Sequence, residues 1–240
     1  MREWIDFAEY RPKARPRRMP EERRTILVND SNSVTAIRTP AEGAAKDLRF
    51  VYAPGAGSGL ADAFGVYAAR RLAAEGIETW RFQFPYKEKG RSAPDAPALL
   101  QATWRAVIEA VASAGGGPVV IGGRSMGGRI ASMVVAAGDA PVAGLALLAY
   151  PLIPPGKTSS DRADHFPSII MPTLFCSGTR DNFAAPEQLR DAVRLAPNAT
   201  LHFLEGADHG FATLKASGRS KDDVFRGAVD ALLSFFDKLN

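Results

Sequence analysis

The spacing of hydrophobic and polar positions along this chain alternates between the period of a strand, about two residues, and that of a helix, about 3.6 residues. Short apolar runs bounded by turn-forming residues predict strands at residues 25–28, 33–38, 48–53, 77–84, 118–121, 144–150, 172–178 and 199–206. Apolar residues three and four positions apart predict helices at residues 61–76, 98–115, 127–138, 186–196 and 221–239. The chain is therefore predicted to form an α/β fold, in which an antiparallel hairpin leads into a mostly parallel sheet with helices on both faces.

The segments between these elements define the domain organisation. The polar residues 85–97 are predicted to form a long loop, and residues 151–171 an irregular connection. That connection is too short for a large helical cap, so we expect an open pocket. Because no repeat or linker interrupts the pattern, we predict one domain at residues 25–240, preceded by a tail at residues 1–24.

The charge of the chain is concentrated at its start. The net charge is +4, and residues 1–24 contain eight Lys or Arg against five Asp or Glu. Prolines interrupt the basic residues 11–18, so no regular helix can present them to a partner. We expect a disordered tail, with Met19 as an alternative start of the chain, and we do not expect a nucleic-acid partner. A phosphate-binding arm is the alternative.

The composition also bears on the compartment and on bound groups. The single cysteine, Cys176, excludes an internal disulfide framework and favours a reducing compartment. Residues 1–10 lack the apolar core of a signal peptide, and the longest near-apolar run, residues 142–153, is too short to span a bilayer. We predict a soluble, cytoplasmic protein with no membrane partner. No His, Cys or carboxylate set has metal-ligand spacing, so we expect neither a metal nor a cofactor.

The motif G-x-S-x-G occurs around Ser125, within the sequence GGRSMGGR. It lies between the predicted strand at residues 118–121 and the predicted helix at residues 127–138. A strand, a sharp turn and a helix form the context in which this motif exposes a nucleophilic serine. The alternative is a glycine turn that only lets the helix pack closely on the strand.

Two further polar residues, Asp181 and His209, also follow predicted strands. Ligands of parallel sheets bind at the carboxyl ends of the strands, so these residues are expected near Ser125. A serine needs a base to remove its proton, and a carboxylate keeps the imidazole in the required tautomer. The order Ser, Asp, His is that of the α/β-hydrolase fold. The alternatives are a turn or helix-capping role for Asp181 and a surface-loop histidine; the adjacent Asp208 is expected to form the turn.

The oxyanion of a tetrahedral intermediate requires fixed hydrogen-bond donors. We predict that these are the backbone N–H groups of Met126, at the start of the helix, and of Ala56, in the glycine-rich residues 54–59. The alternative for residues 54–59 is an ordinary turn or a phosphate loop, although the lysine and spacing of a Walker motif are absent.

Two arginines flank the serine motif. Arg124 is predicted either to bind an anionic group of a substrate or to form a structural ion pair, and neither role is favoured. For Arg129 we favour the structural role.

Other side chains are candidates for substrate binding. We predict that the rim of the pocket is formed by Tyr86, residues 151–167 and Phe211. His165, within that segment, is a further candidate.

Several of these stretches together resemble a known family. APGAGSG, RFQFPY, GGRSMGGR, YPLIPPGK, SGTRDNF and ADHGF are similar to an α/β-hydrolase-like family of dienelactone-hydrolase-type proteins. This family includes relatives of testis-expressed protein 30 and of the third regulatory subunit of the non-specific-lethal chromatin complex. The resemblance covers roughly residues 25–239 and implies that Ser125, Asp181 and His209 occupy the triad positions. Pro54 departs from the His-Gly pair that many α/β-hydrolases carry at the oxyanion loop.

The predicted function is that of a serine hydrolase acting on a small-molecule carboxylic ester, thioester or lactone. Three alternatives remain open from the sequence. One is a non-catalytic binding or scaffold protein on the same fold, which the chromatin relatives suggest. The others are an acyltransferase and a peptidase with the same triad, because the loops that select the acceptor differ among such enzymes.

Overall fold

The computed structural model describes residues 20–138, 140–154, 156–157 and 161–239. Its strands are β1 (Glu22–Asn29), β2 (Asn32–Thr39), β3 (Arg49–Ala53), β4 (Glu78–Phe82), β5 (Val119–Arg124), β6 (Gly144–Leu148), β7 (Thr173–Gly178) and β8 (Ala199–Leu204). Residues 1–19, with most of the predicted tail and Met19, lie outside the described residues. The boundary at residue 24 is wrong, because residues 22–24 already pair in β1.

The strands form one sheet in the order β1-β2-β4-β3-β5-β6-β7-β8. The pairs β1/β2 and β2/β4 are antiparallel, and all the other pairs are parallel. The leading hairpin and the mostly parallel sheet are therefore confirmed. Because the parallel strands run the same way, the residues that follow β5, β7 and β8 lie along one edge of the sheet.

The helices are α1 (Ala63–Ala74), α2 (Pro85–Glu88), α3 (Pro97–Ser113), α4 (Met126–Ala136), α5 (Pro186–Val193) and α6 (Lys221–Phe236). Five of them correspond to predicted helices, whereas α2 lies in the segment predicted as a loop. Its single turn starts with a proline, and the carbonyl of Phe84 accepts a hydrogen bond from the Lys87 N–H at 2.9 Å. Four residues are too few to show a helical period, so the pattern of the sequence missed it.

The sheet is covered on both faces. Residues of α3, α4 and α5 contribute to one core cluster, and residues of α1 and α6 to the other. Successive residues of β3 alternate between the two clusters: Phe50 and Tyr52 join one, and Val51 and Ala53 the other. This two-sided burial explains why the central strands appear in the sequence as continuous apolar runs.

The connection between β6 and β7 adds little structure over the sheet. Its described part contains one short 3₁₀ turn, Phe166–Ser168, whose Phe166 ring lies 5.2 Å from the rings of Tyr150 and Phe175. As predicted, the described part of this connection contains no large cap. In the described residues as a whole, no helix has both the length and the apolar character needed to cross a bilayer.

Candidate active site

Ser125 occupies the sharp turn between β5 and α4. Its φ of 54° and ψ of −120° belong to a region that non-glycine residues rarely adopt. Two backbone hydrogen bonds hold this conformation: the Ser125 N–H donates to Leu148 O at 2.8 Å, and Ser125 O accepts from the Arg129 N–H at 3.0 Å. The surrounding sheet and helix thus fix a strained residue, which is a recurrent feature of functional sites.

The glycines of the motif allow α4 to approach the sheet. A Cβ atom on Gly127 would lie 2.3 Å from the carbonyl oxygen of Ala53, and one on Gly123 would lie 2.4 Å from the same oxygen. Both positions therefore require glycine because backbone atoms fill the space. The packing interpretation of the motif and the nucleophile interpretation are compatible, since the same close approach presents Ser125 at the turn.

Asp181 and His209 extend from Ser125 in a continuous line. The Nε2 atom of His209 lies 2.9 Å from Ser125 Oγ, and its Nδ1 atom lies 3.0 and 2.9 Å from the two carboxylate oxygens of Asp181. Asp181 is 3% exposed and also accepts hydrogen bonds from the Phe183 N–H and the Ser177 hydroxyl. The carboxylate is therefore fixed from three sides.

This network assigns the proton on the imidazole. An ionised Asp181 can only accept, so Nδ1 of His209 carries the hydrogen and Nε2 is left to accept from the Ser125 hydroxyl. Asp208 does not take part: its Oδ1 accepts from the N–H groups of Gly210 and Ala212, at 2.8 and 2.9 Å. It builds the turn that presents His209, as expected from the sequence.

Residues 46–237 match the family described as alpha/beta hydrolase domain. This chain belongs to that family. Its fold is similar to an alpha-beta serine hydrolase homologue from Coxiella burnetii, with 21% identity, a TM-score of 0.71 and coverage of 88% of this chain and 97% of that one. It is also similar to a dienelactone hydrolase from Anabaena variabilis, with 18% identity, a TM-score of 0.70 and coverage of 90% and 97%.

A curated relative is much longer than this α/β-hydrolase domain. The polyketide synthase ThaQ of Burkholderia thailandensis is 32% identical over 173 residues, which are 65% of this chain and 8% of the synthase. The chain thus spans a small fraction of that relative.

The two predicted oxyanion donors lie at the same cavity as Ser125 and His209. Ala56 and Met126 line a cavity of about 340 Å³ together with Ser125 and His209. Within the described part of the chain, neither the Ala56 N–H nor the Met126 N–H has a hydrogen-bond acceptor. Both donors are therefore available to a ligand.

Tyr86 supports the loop that carries Ala56 and does not line the cavity. Its ring is buried, and its hydroxyl donates to the carbonyl oxygen of Ala56 at 2.7 Å. Burial, and next the negative charge of Asp95, raise the pKa of Tyr86 to about 12, so the hydroxyl stays protonated at neutral pH. The predicted position of Tyr86 at the rim is therefore wrong. The side chain lies behind the loop that carries Ala56 and holds it through this hydrogen bond.

Of the two roles predicted for Arg124, the structure shows the structural ion pair. Its Nη2 atom lies 3.0 Å from Oδ1 of Asp62, whose other oxygen accepts from the Tyr52 hydroxyl and from the Gly65 N–H. Asp62 is also the N-cap of α1. Arg124 does not line the cavity. Its side chain links the turn at Ser125 to the start of α1.

Two further sequence predictions about the pocket differ from the structure. Phe211 is fully buried on the opposite side, where its ring lies 5.2 Å from that of Phe64, so it forms no rim. His165 does not line the cavity either; its Nε2 atom lies 2.8 Å from the hydroxyl of Ser132. Both residues were predicted from sequence position alone, which does not give the direction of a side chain.

The cavity wall combines residues that the sequence indicated with residues that it missed. Pro151 and Arg162 belong to the predicted rim segment 151–167, whereas Pro94, Pro97, Leu100 and Phe183 were not predicted. Its two cationic side chains are Arg129 and Arg162. Its apolar part is contributed by Pro94, Pro97, Leu100, Met126, Pro151 and Phe183. No short motif marks the four missed residues, because they come from two separate segments that only the fold brings together.

Proposed function

We propose that this protein is a serine hydrolase that cleaves a carboxylic ester, thioester or lactone through an acyl-enzyme. The observation that carries the proposal is the unbroken line of contacts from buried Asp181 through His209 to Ser125, at the edge of a cavity. A structural serine would not require a strained turn, an oriented imidazole and two vacant N–H donors at one place.

In the first half-reaction, Ser125 Oγ attacks the substrate carbonyl carbon while its proton passes to Nε2 of His209. The negative charge that develops on the carbonyl oxygen is stabilised by the N–H groups of Ala56 and Met126, and the start of α4 adds the favourable end of the helix dipole. Collapse of the intermediate breaks the bond to the leaving group, which takes the proton from His209. Asp181 stabilises the imidazolium throughout.

In the second half-reaction, a water molecule attacks the acyl-enzyme and gives its proton to His209 Nε2. The second tetrahedral intermediate uses the same two donors. Its collapse releases the carboxylic acid and returns the proton to Ser125, so the enzyme is restored. His209 accepts a proton and passes it on in each half-reaction.

The size and walls of the cavity favour a small acyl group. Its volume is about 340 Å³, and much of its wall is apolar. The described residues place no cap domain over it. The fold similarity to a dienelactone hydrolase is consistent with a small ester or lactone as substrate.

The test is hydrolysis of short-chain 4-nitrophenyl esters and matching thioesters by the purified protein and two variants. We expect turnover by the wild type and a loss of at least about 10³-fold in kcat for His209→Gln and Ser125→Ala. His202→Gln is the matched control, because His202 is exposed on β8 and should retain full activity. A folded protein with no turnover, or with turnover unaffected by these changes, would overturn the proposal.

The alternatives make different predictions in this experiment. An acyltransferase would speed acyl release when an alcohol or amine acceptor is added, and a peptidase would prefer anilides and amides. A folded protein that turns over none of them would support the binding or scaffold role, which the resemblance to chromatin-complex proteins suggests and which remains a prediction.

A further inference from the structure

Among the described residues, Arg129 has no carboxylate partner, and its side chain lines the proposed catalytic cavity. Arg129 lies one helical turn after Ser125 in α4, and its side chain lines the cavity. Its only polar contact in the described part of the chain joins Nη1 to the thioether sulfur of Met133 at 3.6 Å, a weak acceptor. This departs from the structural ion pair expected from the sequence.

Arg162 adds a second positive charge to the same cavity. It comes from the connection between β6 and β7, and its Nη1 atom donates to Pro151 O at 2.8 Å, which fixes the side chain against the wall. Burial, and next the charge of Arg129, lower the pKa of Arg162. The same two causes lower the pKa of His165. The positive charge of Arg129 therefore acts on both groups at this wall, where Asp161 and Asp164 act in the opposite direction.

Among the described residues, the acidic side chain that lines the cavity is Asp95, and it is engaged by other groups. Asp95 uses Oδ2 to accept from the Tyr86 N–H at 2.8 Å and Oδ1 to pair with Arg91 at 2.5 Å. Its charge is therefore compensated outside the cavity. Asp181 lies behind His209 and is held by the imidazole.

We propose that Arg129, assisted by Arg162, binds a carboxylate carried by the acyl part of the substrate. This inference rests on the proposed hydrolase function and specifies its substrate class: an ester, thioester or lactone with an acidic group several bonds from the scissile carbonyl. The planar guanidinium presents paired N–H donors that match a carboxylate. The apolar wall between Ser125 and the arginines accommodates the carbon chain that joins the two ends.

The test compares two substrates of equal chain length, 4-nitrophenyl hydrogen adipate and 4-nitrophenyl hexanoate. The quantity measured is the ratio of kcat/KM for the acidic ester to that for the neutral ester. We expect a ratio above one for the wild type and a fall of roughly tenfold in Arg129→Met, since the variant loses the charge-assisted hydrogen bonds to the carboxylate. Arg129→Lys should recover part of the ratio.

The matched control is Arg70→Met, which removes one positive charge from the exposed face of α1. It should leave the ratio unchanged, whereas an equal fall in both variants would indicate a long-range charge effect and overturn the site. A second measurement needs no variant: adipate should inhibit hexanoate hydrolysis competitively, and the neutral adipamide should not.

The outcomes separate this inference from the proposed function. Hydrolysis of the neutral ester that depends on Ser125, without preference for the acidic ester and without inhibition by adipate, would overturn the carboxylate site and leave the hydrolase intact. A ratio that stays within about twofold in Arg129→Met would overturn it as well. A folded protein that hydrolyses neither ester would overturn both proposals.

Discussion

At the scale of single residues, the chemistry of the candidate site depends on how firmly each side chain is held. His209 is in contact with Ser125 on one side and with buried Asp181 on the other, at distances of 2.9 to 3.0 Å. Asp181 in turn accepts from a backbone N–H and a hydroxyl. The imidazole therefore has one orientation and one tautomer before any substrate binds.

The first prediction concerns Asp181→Asn. The amide keeps the shape of the carboxylate but favours the wrong tautomer of His209 and no longer stabilises the imidazolium, so kcat should fall by roughly 10³- to 10⁴-fold. Steady-state kinetics on an accepted ester measures the effect. Asp191→Asn, an exposed carboxylate on α5, is the control and should change nothing. An Asp181→Asn enzyme with nearly full kcat would contradict the assigned role.

The second prediction concerns Tyr86→Phe. The change removes the hydroxyl that fixes Ala56 and leaves a partly buried carbonyl without its donor, so the loop that carries Ala56 should lose order. We expect kcat to fall by about tenfold with little change in KM, because the loop acts on the transition state. Tyr67→Phe, on α1, is the control. A change confined to KM would indicate a role in substrate binding instead.

The sequence indicated the three residues of the proposed triad but only some of the residues around them. Ser125 and His209 follow strands and occur in recognisable local patterns, which suffice to place them at one edge of a parallel sheet. For Arg129 and Phe211 the neighbouring sequence does not show which way the side chain points. Arg129 lines the cavity, whereas Phe211 is buried on the far side of the sheet. That difference depends on helix rotation and on side chains distant in sequence, which a local pattern does not contain.

At the scale of elements, the position of α4 against the sheet determines whether Ser125 is presented at all. Gly123 and Gly127 let the helix start in contact with the carbonyl of Ala53. The ion pair from Arg124 to Asp62 joins this turn to the N-cap of α1. The strand end and both helix starts therefore form one packed unit.

The third prediction concerns Gly127→Ala. Its Cβ would lie 2.3 Å from a backbone oxygen, and a backbone atom cannot move aside as the end of a side chain can. We expect a loss of about 1–3 kcal/mol or more in the free energy of unfolding, measured by urea denaturation. Gly57→Ala is the control, since no atom lies within 4 Å of its added Cβ. Equal stability of the two variants would contradict the close packing of α4.

The elements themselves were largely predictable for a physical reason. Strands buried on both faces leave continuous apolar runs, and glycine or proline at their ends marks the boundaries. The missed helix, α2, has four residues and gives no period. Its formation depends on the buried Tyr86 ring and on Asp95, which accepts from the Tyr86 N–H, so tertiary contacts decide it.

At the scale of the whole molecule, the strand order brings together residues that are far apart in sequence. The ends of β5, β7 and β8 deliver Ser125, Asp181 and His209 to one edge of the sheet. The order of these residues along the chain made this predictable. The cavity was predictable only in part. Residues 151–167, after β6, were expected at its rim, but its walls also combine the segment before α3, the start of α4 and the connection after β7.

The central claim is that this fold activates Ser125 as a nucleophile. The most direct measurement is intact-mass spectrometry of the purified protein after treatment with a fluorophosphonate, beside a Ser125→Ala variant shown by circular dichroism to be folded. We predict one covalent adduct on the wild type and none on the variant. A folded wild type without an adduct, or an adduct that persists in Ser125→Ala, would contradict the account.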